Sequence, residues 1–193
     1  MLHTFWSWDA APDELFVLGS AGLDRLLDAG GSFFSDEMDY RDYGAMLQYA
    51  VAAWAKRDLP AVLAAMRKRK WNDGAIARSG AGLVRDARIV PFLVRACAAR
   101  EPLVRQAAVD ALGGQDHPRA TAAVARALRD RSSDVRLAAI RALARIADPS
   151  TEEALHDASE HYKSTPLTKQ EFAAALAAVR RAAGTRRSSG TSA

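Results

Sequence analysis

The chain has 193 residues, 49% of them hydrophobic, and a formal net charge of +4, so it is long enough to bury a substantial core in one domain. No run approaches the roughly 20 apolar residues that cross a membrane, and the first residues lack the basic-then-apolar order of a secretion signal. The single cysteine, Cys97, excludes a disulfide framework or a CxxC metal site within one chain, and cytoplasmic residence is the expectation. The alanine-rich, arginine-rich composition with few lysines suggests a bacterial origin.

The charge is divided unevenly along the chain. Residues 1–50 hold nine acids and two bases, whereas residues 51–193 hold 14 acids and 25 bases. This polarity indicates either two binding faces or a pairing between an acidic cap and a basic stack of helices.

The N-terminal 40 residues are predicted to form an acidic and aromatic helical cap, with short helices over residues 12–18 and 20–29. Residues 32–40 are predicted to be a loop that contacts a partner, because aromatic side chains are typical interface anchors and acids steer a basic partner. The alternative is that its aromatics pack into the core while its acids face water. The candidate binding residues of this loop are Phe33, Phe34, Asp36, Glu37, Asp39 and Tyr40.

Two helices are predicted between residues 43 and 70. Apolar residues recur at helical spacing from Tyr43 to Trp54, and Asp58 is expected to cap a second helix with Pro60 near its start. Residues 72–84 are predicted to be a further helix, weakened by three glycines, each costing about 1 kcal/mol against alanine. We interpret that segment as a degenerate repeat.

A dense basic run, residues 67–70, ends the second of these helices next to Trp71. Arg67, Arg69 and Trp71 are candidates for binding nucleic acid through phosphate contacts and base stacking. The alternative is a solvated helix end at which the bases complement the helix dipole.

Residues 88–112 and 119–143 form an internal repeat with an offset of 31 residues. Ten of the 25 aligned positions are identical, and they include Arg95/Arg126, Arg105/Arg136 and Leu112/Leu143. A fixed period of this length predicts stacked units that cannot each bury their apolar face alone. Each copy divides into two helical stretches, which are residues 90–99 and 103–112 in the first and residues 121–130 and 134–147 in the second.

The residues from Asp134 to Leu143 read Asp-Val-Arg-x-x-Ala-x-x-Ala-Leu. This pattern is similar to the second helix of a HEAT-like repeat, in the short bacterial subclass named for phycobilin lyases, and the resemblance covers residues 88–147. It implies a polar ladder between repeats in which Asp134 and Arg136 take part. The first copy has Leu103 in place of the aspartate, so only Arg105 carries over there.

The C-terminal part is predicted to hold two more helices. Capping boxes beginning at Ser150 and Thr168 open helices near 151–163 and 169–183, and residues 184–193 are expected to be a disordered tail. The predicted fold is therefore all-α, an α-solenoid of about ten helices in antiparallel pairs, with HEAT-like repeats over residues 41–183.

The repeated arginines are the main candidates for function. Because they recur at the repeat period, each pair should stand in a row that could grip phosphates or an acidic protein. Arg95 and Arg126 are therefore candidate partner-binding residues, and Arg141, which has no arginine counterpart in the first copy, is a further candidate. The alternative is a solvated face plus a structural ladder, with Arg105 and Arg136 as ladder members.

No convergent catalytic, cofactor-binding or metal-binding set is found in the sequence. His156 and His161 alternate with acids on one predicted helix, but they lie about 140° apart around it, so surface ion pairs are expected. The leading hypothesis is a non-enzymatic protein-binding module that acts as a scaffold, adaptor or inhibitor. Alternatives are a nucleic-acid-binding solenoid that uses the arginine rows and, implied by the repeat subclass alone, a bilin lyase-like enzyme.

Overall fold

The computed structural model of this protein describes residue 19 and residues 21–24, 27–28, 41–68, 80–161 and 166–189. Within these ranges every regular element is helical, which confirms the all-α prediction. The chain divides into two compact units, Met1–Val84 and Arg85–Ala193. None of the helices in these ranges is both long and apolar enough to cross a bilayer.

The first unit contains helix α1 (Arg41–Lys68), which is broken at Asp58. Asp58 has φ −148° and ψ 78°, and its Oδ1 accepts a hydrogen bond of 3.0 Å from the backbone N–H of Ala61. A side-chain oxygen bonded to the N–H three residues on is the geometry of an N-cap, and Pro60 fits the first turn that follows. The predicted cap at Asp58 is therefore confirmed.

The buried side of α1 is apolar on both sides of this break. Val51, Leu59, Val62 and Met66 are almost fully buried. A 3-10 turn, Gly80–Leu83, packs against α1. The prediction of an α-helix over residues 72–84 is wrong at its C-terminal end, where Gly80–Leu83 form the 3-10 turn. Gly80 and Gly82 disfavour α-helical backbone there. Residues 72–79 lie outside the described ranges.

The described part of the second unit contains six helices and one 3-10 turn. They are α2 (Val90–Ala96), α3 (Pro102–Leu112), α4 (Pro118–Ala127), α5 (Ser133–Ile146), the turn Pro149–Thr151, α6 (Glu152–His161) and α7 (Pro166–Ser189). Consecutive helices pair as α2 with α3, α4 with α5, and α6 with α7. In addition, α2 contacts α4, α3 contacts α5, and α5 contacts α7. Equivalent helices of the two repeats therefore lie next to each other.

The core between α3 and α5, which are the second helices of the two repeats, is built from alanine and leucine side chains at repeated positions. Ala108 and Ala139 are fully buried, as are Leu112 and Leu143. Gly113 follows α3 with helical φ and ψ, and a Cβ built on it would lie 2.7 Å from the Cβ of Ala142 and 2.9 Å from its Cα. The end of α3 and the middle of α5 thus approach so closely that only glycine fits.

The starts of the helices follow proline and capping chemistry. Pro102 and Pro118 occupy the first turns of α3 and α4. The Nδ1 of His117 accepts a 3.1 Å hydrogen bond from the N–H of Arg119, so α4 begins three residues earlier than predicted. Before α6, Asp148 Oδ1 accepts from the N–H of Ser150 and caps the 3-10 turn Pro149–Thr151, which leads directly into α6 at Glu152.

Two predictions about helix number and extent are wrong. When α1 is counted as two helices, the described residues contain eight bounded helices, not about ten, partly because residues 80–83 form a 3-10 turn. Helix α7 continues past Gly184 to Ser189, where a disordered tail was expected to begin. The sequence after Pro166 is rich in alanine and has no further proline to end the helix.

Candidate interaction surface

A buried arginine joins the two repeats at their turns. The Arg105 side chain on α3 is only 5% exposed. Its Nη1 donates to the carbonyl oxygens of Ala99 and Arg100 at 2.9 and 2.8 Å, in the turn that follows α2. Its Nε and Nη2 donate to the two carboxylate oxygens of Asp130, both at 2.8 Å. One guanidinium therefore ties the turn of its own repeat to the turn of the next.

Asp130 receives these hydrogen bonds at a point where its carboxylate is 14% exposed. Its Oδ1 also accepts from the N–H of Ser132 at 2.8 Å. The hydrogen bonds from Arg105 hold the pKa of the Asp130 carboxyl below its usual range, and the same bonds raise the pKa of Arg105. Charge-assisted, two-point contacts of this kind are among the stronger polar interactions in proteins.

The second copy of the repeat uses Arg136 in the same place. Its Nη1 donates to the carbonyl oxygens of Asp130 and Arg131 at 2.8 and 3.2 Å, which are the positions equivalent to Ala99 and Arg100. The Arg131 Nη2 reaches back to the Arg100 carbonyl at 3.0 Å. We call Arg105, Asp130, Arg131 and Arg136 the inter-repeat cluster.

The carboxylate of this cluster is Asp130, to which the sequence analysis gave no role. Asp134, the aspartate of the expected ladder, is exposed in the first turn of α5, and the ion pairs found within the described ranges do not involve it. The first copy has Ala99 at the position of Asp130, so comparison of the repeats carries no signal for it. Leu103, which replaces the ladder aspartate in the first copy, is 70% exposed.

Two arginines farther along α5, Arg141 and Arg145, bond to residues of the adjacent helices α7 and α3. Arg141 donates from Nε and Nη2 to Glu171 Oε1 of α7 at 2.9 and 2.8 Å. Arg145 donates to the Asp110 carbonyl of α3 at 3.1 Å and lies 3.6 Å from its carboxylate. Arg141, a candidate partner contact, is therefore already paired within the second unit.

On α2 and α4, which are the first helices of the two repeats, the arginines are exposed. Arg119 and Arg126 are exposed on one side of α4, and Arg129 is exposed just after its end; a spacing of three to four residues and its multiples places side chains on one helix face. Arg95, exposed on α2, stands 4.9 Å from the ring centroid of Phe92, within cation–π range. We call Arg95, Arg119, Arg126 and Arg129 the α2–α4 arginine face.

Three of these arginines take no part in the ion pairs of the described residues. Arg119, Arg126 and Arg129 enter no ion pair among residues 80–161 and 166–189. The exposed positions between the arginines carry small side chains, Pro91 and Ala98 on and after α2 and Ala122 on α4. The face is therefore positively charged and nearly free of protruding apolar groups.

The remaining candidate partner-binding residues belong to the first unit or lie outside the described ranges. The candidates of the 32–40 loop, as well as Arg69 and Trp71, lie outside the described ranges. Arg67 is exposed in the last turn of α1, in the first unit.

The residues considered for metal or thiol chemistry are dispersed. His156 and His161 are both exposed on α6, and in the described part of the chain no three histidine, cysteine, aspartate or glutamate residues are arranged to hold a metal ion. Burial raises the pKa of the Cys97 thiol to about 11. The thiol is therefore protonated at neutral pH and a poor nucleophile.

The repeat geometry agrees with a comparison to known families. Residues 59–136 match the family model for HEAT repeats. This part of the chain is a HEAT-like repeat segment. The match confirms the resemblance derived from the sequence over much of residues 88–147 and extends it toward the N-terminus, to the second half of α1. A comparison with curated proteins gave no match.

The HEAT-like segment covers less than half of the chain. It contains α2, α3 and α4 completely and ends at Arg136, in the first turns of α5. The α2–α4 arginine face and the inter-repeat cluster both lie within it.

Proposed function

We propose that this protein is a non-enzymatic HEAT-like repeat module that binds another protein and acts as a scaffold, an adaptor or an inhibitor of that partner. HEAT repeats generally mediate protein interactions. We further propose that the pairs α2/α3, α4/α5 and α6/α7 form a short α-solenoid. The neighbour relations between equivalent helices support this arrangement, because stacked repeats contact mainly their nearest neighbours.

The observation that carries the proposal is that arginines on the second helices, α3 and α5, bond to neighbouring segments, whereas arginines on the first helix α4 are exposed. On the second helices, Arg105, Arg136 and Arg141 all donate to carboxylates or carbonyls of neighbouring segments. On α4, by contrast, Arg119 and Arg126 are exposed without an ion pair among the described residues. Exposed arginine is one of the residue types enriched at the energetic centres of protein interfaces.

The hydrogen bonds that join the two repeats also support a binding role. The inter-repeat cluster fixes the two turns relative to each other through five hydrogen bonds from Arg105 and Arg131. A surface held by such contacts loses little conformational entropy when a partner docks, which favours affinity.

The test is co-purification of the tagged full chain from its source cells, with and without nuclease, after which any retained protein is purified and titrated against the chain. The proposal expects one protein that is retained after nuclease treatment and binds directly at a defined stoichiometry. If only nucleic acid is retained, and nuclease removes it, the proposal is overturned. In that case binding to duplex DNA should weaken with salt at a log–log slope of about −0.9 for each phosphate neutralised.

A further inference from the structure

We infer that the α2–α4 arginine face is the docking surface of this protein and that its occupant is a short acidic segment of the partner protein. This inference rests on the proposed function and deepens it. It names the surface and the chemistry of the partner, neither of which follows from the presence of HEAT-like repeats.

Charge complementarity is the first argument. The exposed positions of α2 and α4 include Arg95, Arg119 and Arg126 but no acid. Arginine is the cation best suited to two-point contacts with carboxylates. The face thus presents Arg119 and Arg126, which enter no ion pair among the described residues, whereas Arg141 and Arg180, on α5 and α7, are paired with Glu171 and Glu152.

Spacing is the second argument. Arg119 and Arg126 are seven residues apart, so their Cα atoms lie about 10.5 Å apart along α4. Arg95 is on the adjacent helix α2, and packed helix axes lie about 8–10 Å apart. In an extended chain, side chains on the same side repeat about every 6.6 Å, so acids two to four residues apart can reach different arginines of the face.

Size is the third argument, and it favours a short peptide segment over a nucleic acid. Helices α2 and α4 have 7 and 10 residues, which makes them about 10–15 Å long, a distance that about five extended residues cover. Specific protein–DNA interfaces bury about 1,000–2,500 Å² of protein surface, and single DNA-binding modules about 600–1,000 Å², both of which exceed a face of these dimensions. The exposed positions of these two helices also hold no aromatic side chain on which a base could stack.

The small side chains are the fourth argument. Pro91 and Ala122 occupy equivalent positions, 31 residues apart, and both are exposed between the arginines. Small side chains there let the backbone of an extended segment approach α2 and α4 closely, while the arginines on either side reach its carboxylates.

The experiment measures binding of a fluorescein-labelled octaglutamate peptide to the full chain by fluorescence anisotropy at about 0.1 M salt, where the Debye length is about 10 Å. Arg126→Glu is the test variant, and Arg181→Glu is the control with the same change in net charge, because Arg181 is also exposed and lies on α7. We expect Arg126→Glu to weaken binding by about tenfold, because it replaces an attraction by a repulsion at the docking surface. Arg181→Glu should change binding by less than about twofold, since screening limits distant charges.

Equal losses in the two variants would overturn the inference, because they would show that the peptide reads only the net charge. Tighter binding of a 12-base-pair DNA duplex than of the peptide, lost in Arg126→Glu, would also overturn it and assign the face to nucleic acid. A salt-dependent oligomer that Arg126→Glu dissociates would make the occupant a second copy of this chain and would equally exclude the acidic partner segment.

The purified partner separates this inference from the proposed function. If that partner binds Arg126→Glu as tightly as the wild-type chain, the docking surface is wrong while the protein-binding role stands. If no protein binds the wild-type chain, the role itself fails, whatever the peptide result.

Discussion

At the level of single residues, Asp130 decides how the two repeats are joined. Its carboxylate accepts from Arg105 of the preceding repeat and from the N–H of Ser132 in its own turn. Its backbone carbonyl accepts from Arg136. One residue is thus held from three directions, and removing a partner leaves a charged group largely buried without compensation.

Arg105→Met, which keeps the length of the side chain but removes the guanidinium, should lower the free energy of unfolding by about 3 kcal/mol, the usual cost of stranding one member of a buried pair. Urea denaturation measures this loss. Arg119→Met is the matched control, because Arg119 is exposed, and its effect should stay within about 0.5 kcal/mol. Similar losses in the two variants would contradict the structural role of Arg105.

The Arg105–Asp130 pair should also make stability depend on pH. Because Arg105 lowers the pKa of the folded-state Asp130 carboxyl, the contribution of the pair is fully present above the unfolded value of about 3.9 and is lost as the pH falls through the folded value. The stability difference between wild type and Asp130→Asn should therefore be largest near pH 7 and shrink below about pH 4.

Urea unfolding at a series of pH values tests this dependence. In an Arg105→Met background, Asp130→Asn should have a smaller effect that varies less with pH, since the partner that lowers the pKa is gone. A difference between wild type and Asp130→Asn that stays constant down to pH 2.5 would show that the carboxylate charge is not what stabilises the turn.

At the level of helices, the packing of one repeat on the next depends on the close approach of α3 and α5. The end of α3 meets the middle of α5 at Gly113 and Ala142, and the Nη2 of Arg145 lies 2.5 Å from where a Cβ on Gly113 would be. Side chains of one carbon or none at this contact let the helix backbones come together. The alanines of the repeat pattern are therefore packing residues, because the short distance between the helices leaves room only for small side chains.

Gly113→Ala tests this contact directly. Gly113 has φ −62°, which alanine adopts readily, so any loss of stability must come from the new methyl group. Because that methyl would meet the backbone of Ala142, we expect destabilisation of about 1–3 kcal/mol, as for other overpacked cores. Gly114→Ala is the control, since its Cβ would lie 3.5 Å from the nearest atom. A neutral Gly113→Ala would contradict the close approach.

At the level of the whole molecule, the second unit, Arg85–Ala193, contains all three helical pairs and the inter-repeat cluster. Its principal contacts join helices within the unit, in pairs and between neighbouring repeats. Such a set of nearest-neighbour contacts should be sufficient for cooperative folding without residues 1–84.

We therefore expect a fragment of residues 85–193 to be helical by circular dichroism and to unfold in one cooperative urea transition. A fragment of residues 118–193 is the comparison, because it lacks α2, α3 and Arg105, the partner of Asp130. The shorter fragment should be much less stable or lack a cooperative transition. An unfolded 85–193 fragment would show that the second unit needs the first.

The sequence by itself determined the helical class, the 31-residue period, the cap at Asp58 and the HEAT-like character of the repeats. These features depend on local helical spacing and on identities between copies, both of which can be read along the chain. The candidates of the 32–40 loop, as well as Arg69 and Trp71, lie outside the described residues and stay predictions.

Only the tertiary structure decided which arginines are engaged and which are exposed. Arg105 meets Asp130 across 25 residues and Arg141 meets Glu171 across 30, so neither pair has a local signature. Asp130 also has no counterpart in the first copy, where the residue is Ala99. Repeat identity marks equivalent positions, but the partner of each position depends on which neighbouring turn or helix packs beside it, and packing follows from the whole set of helices.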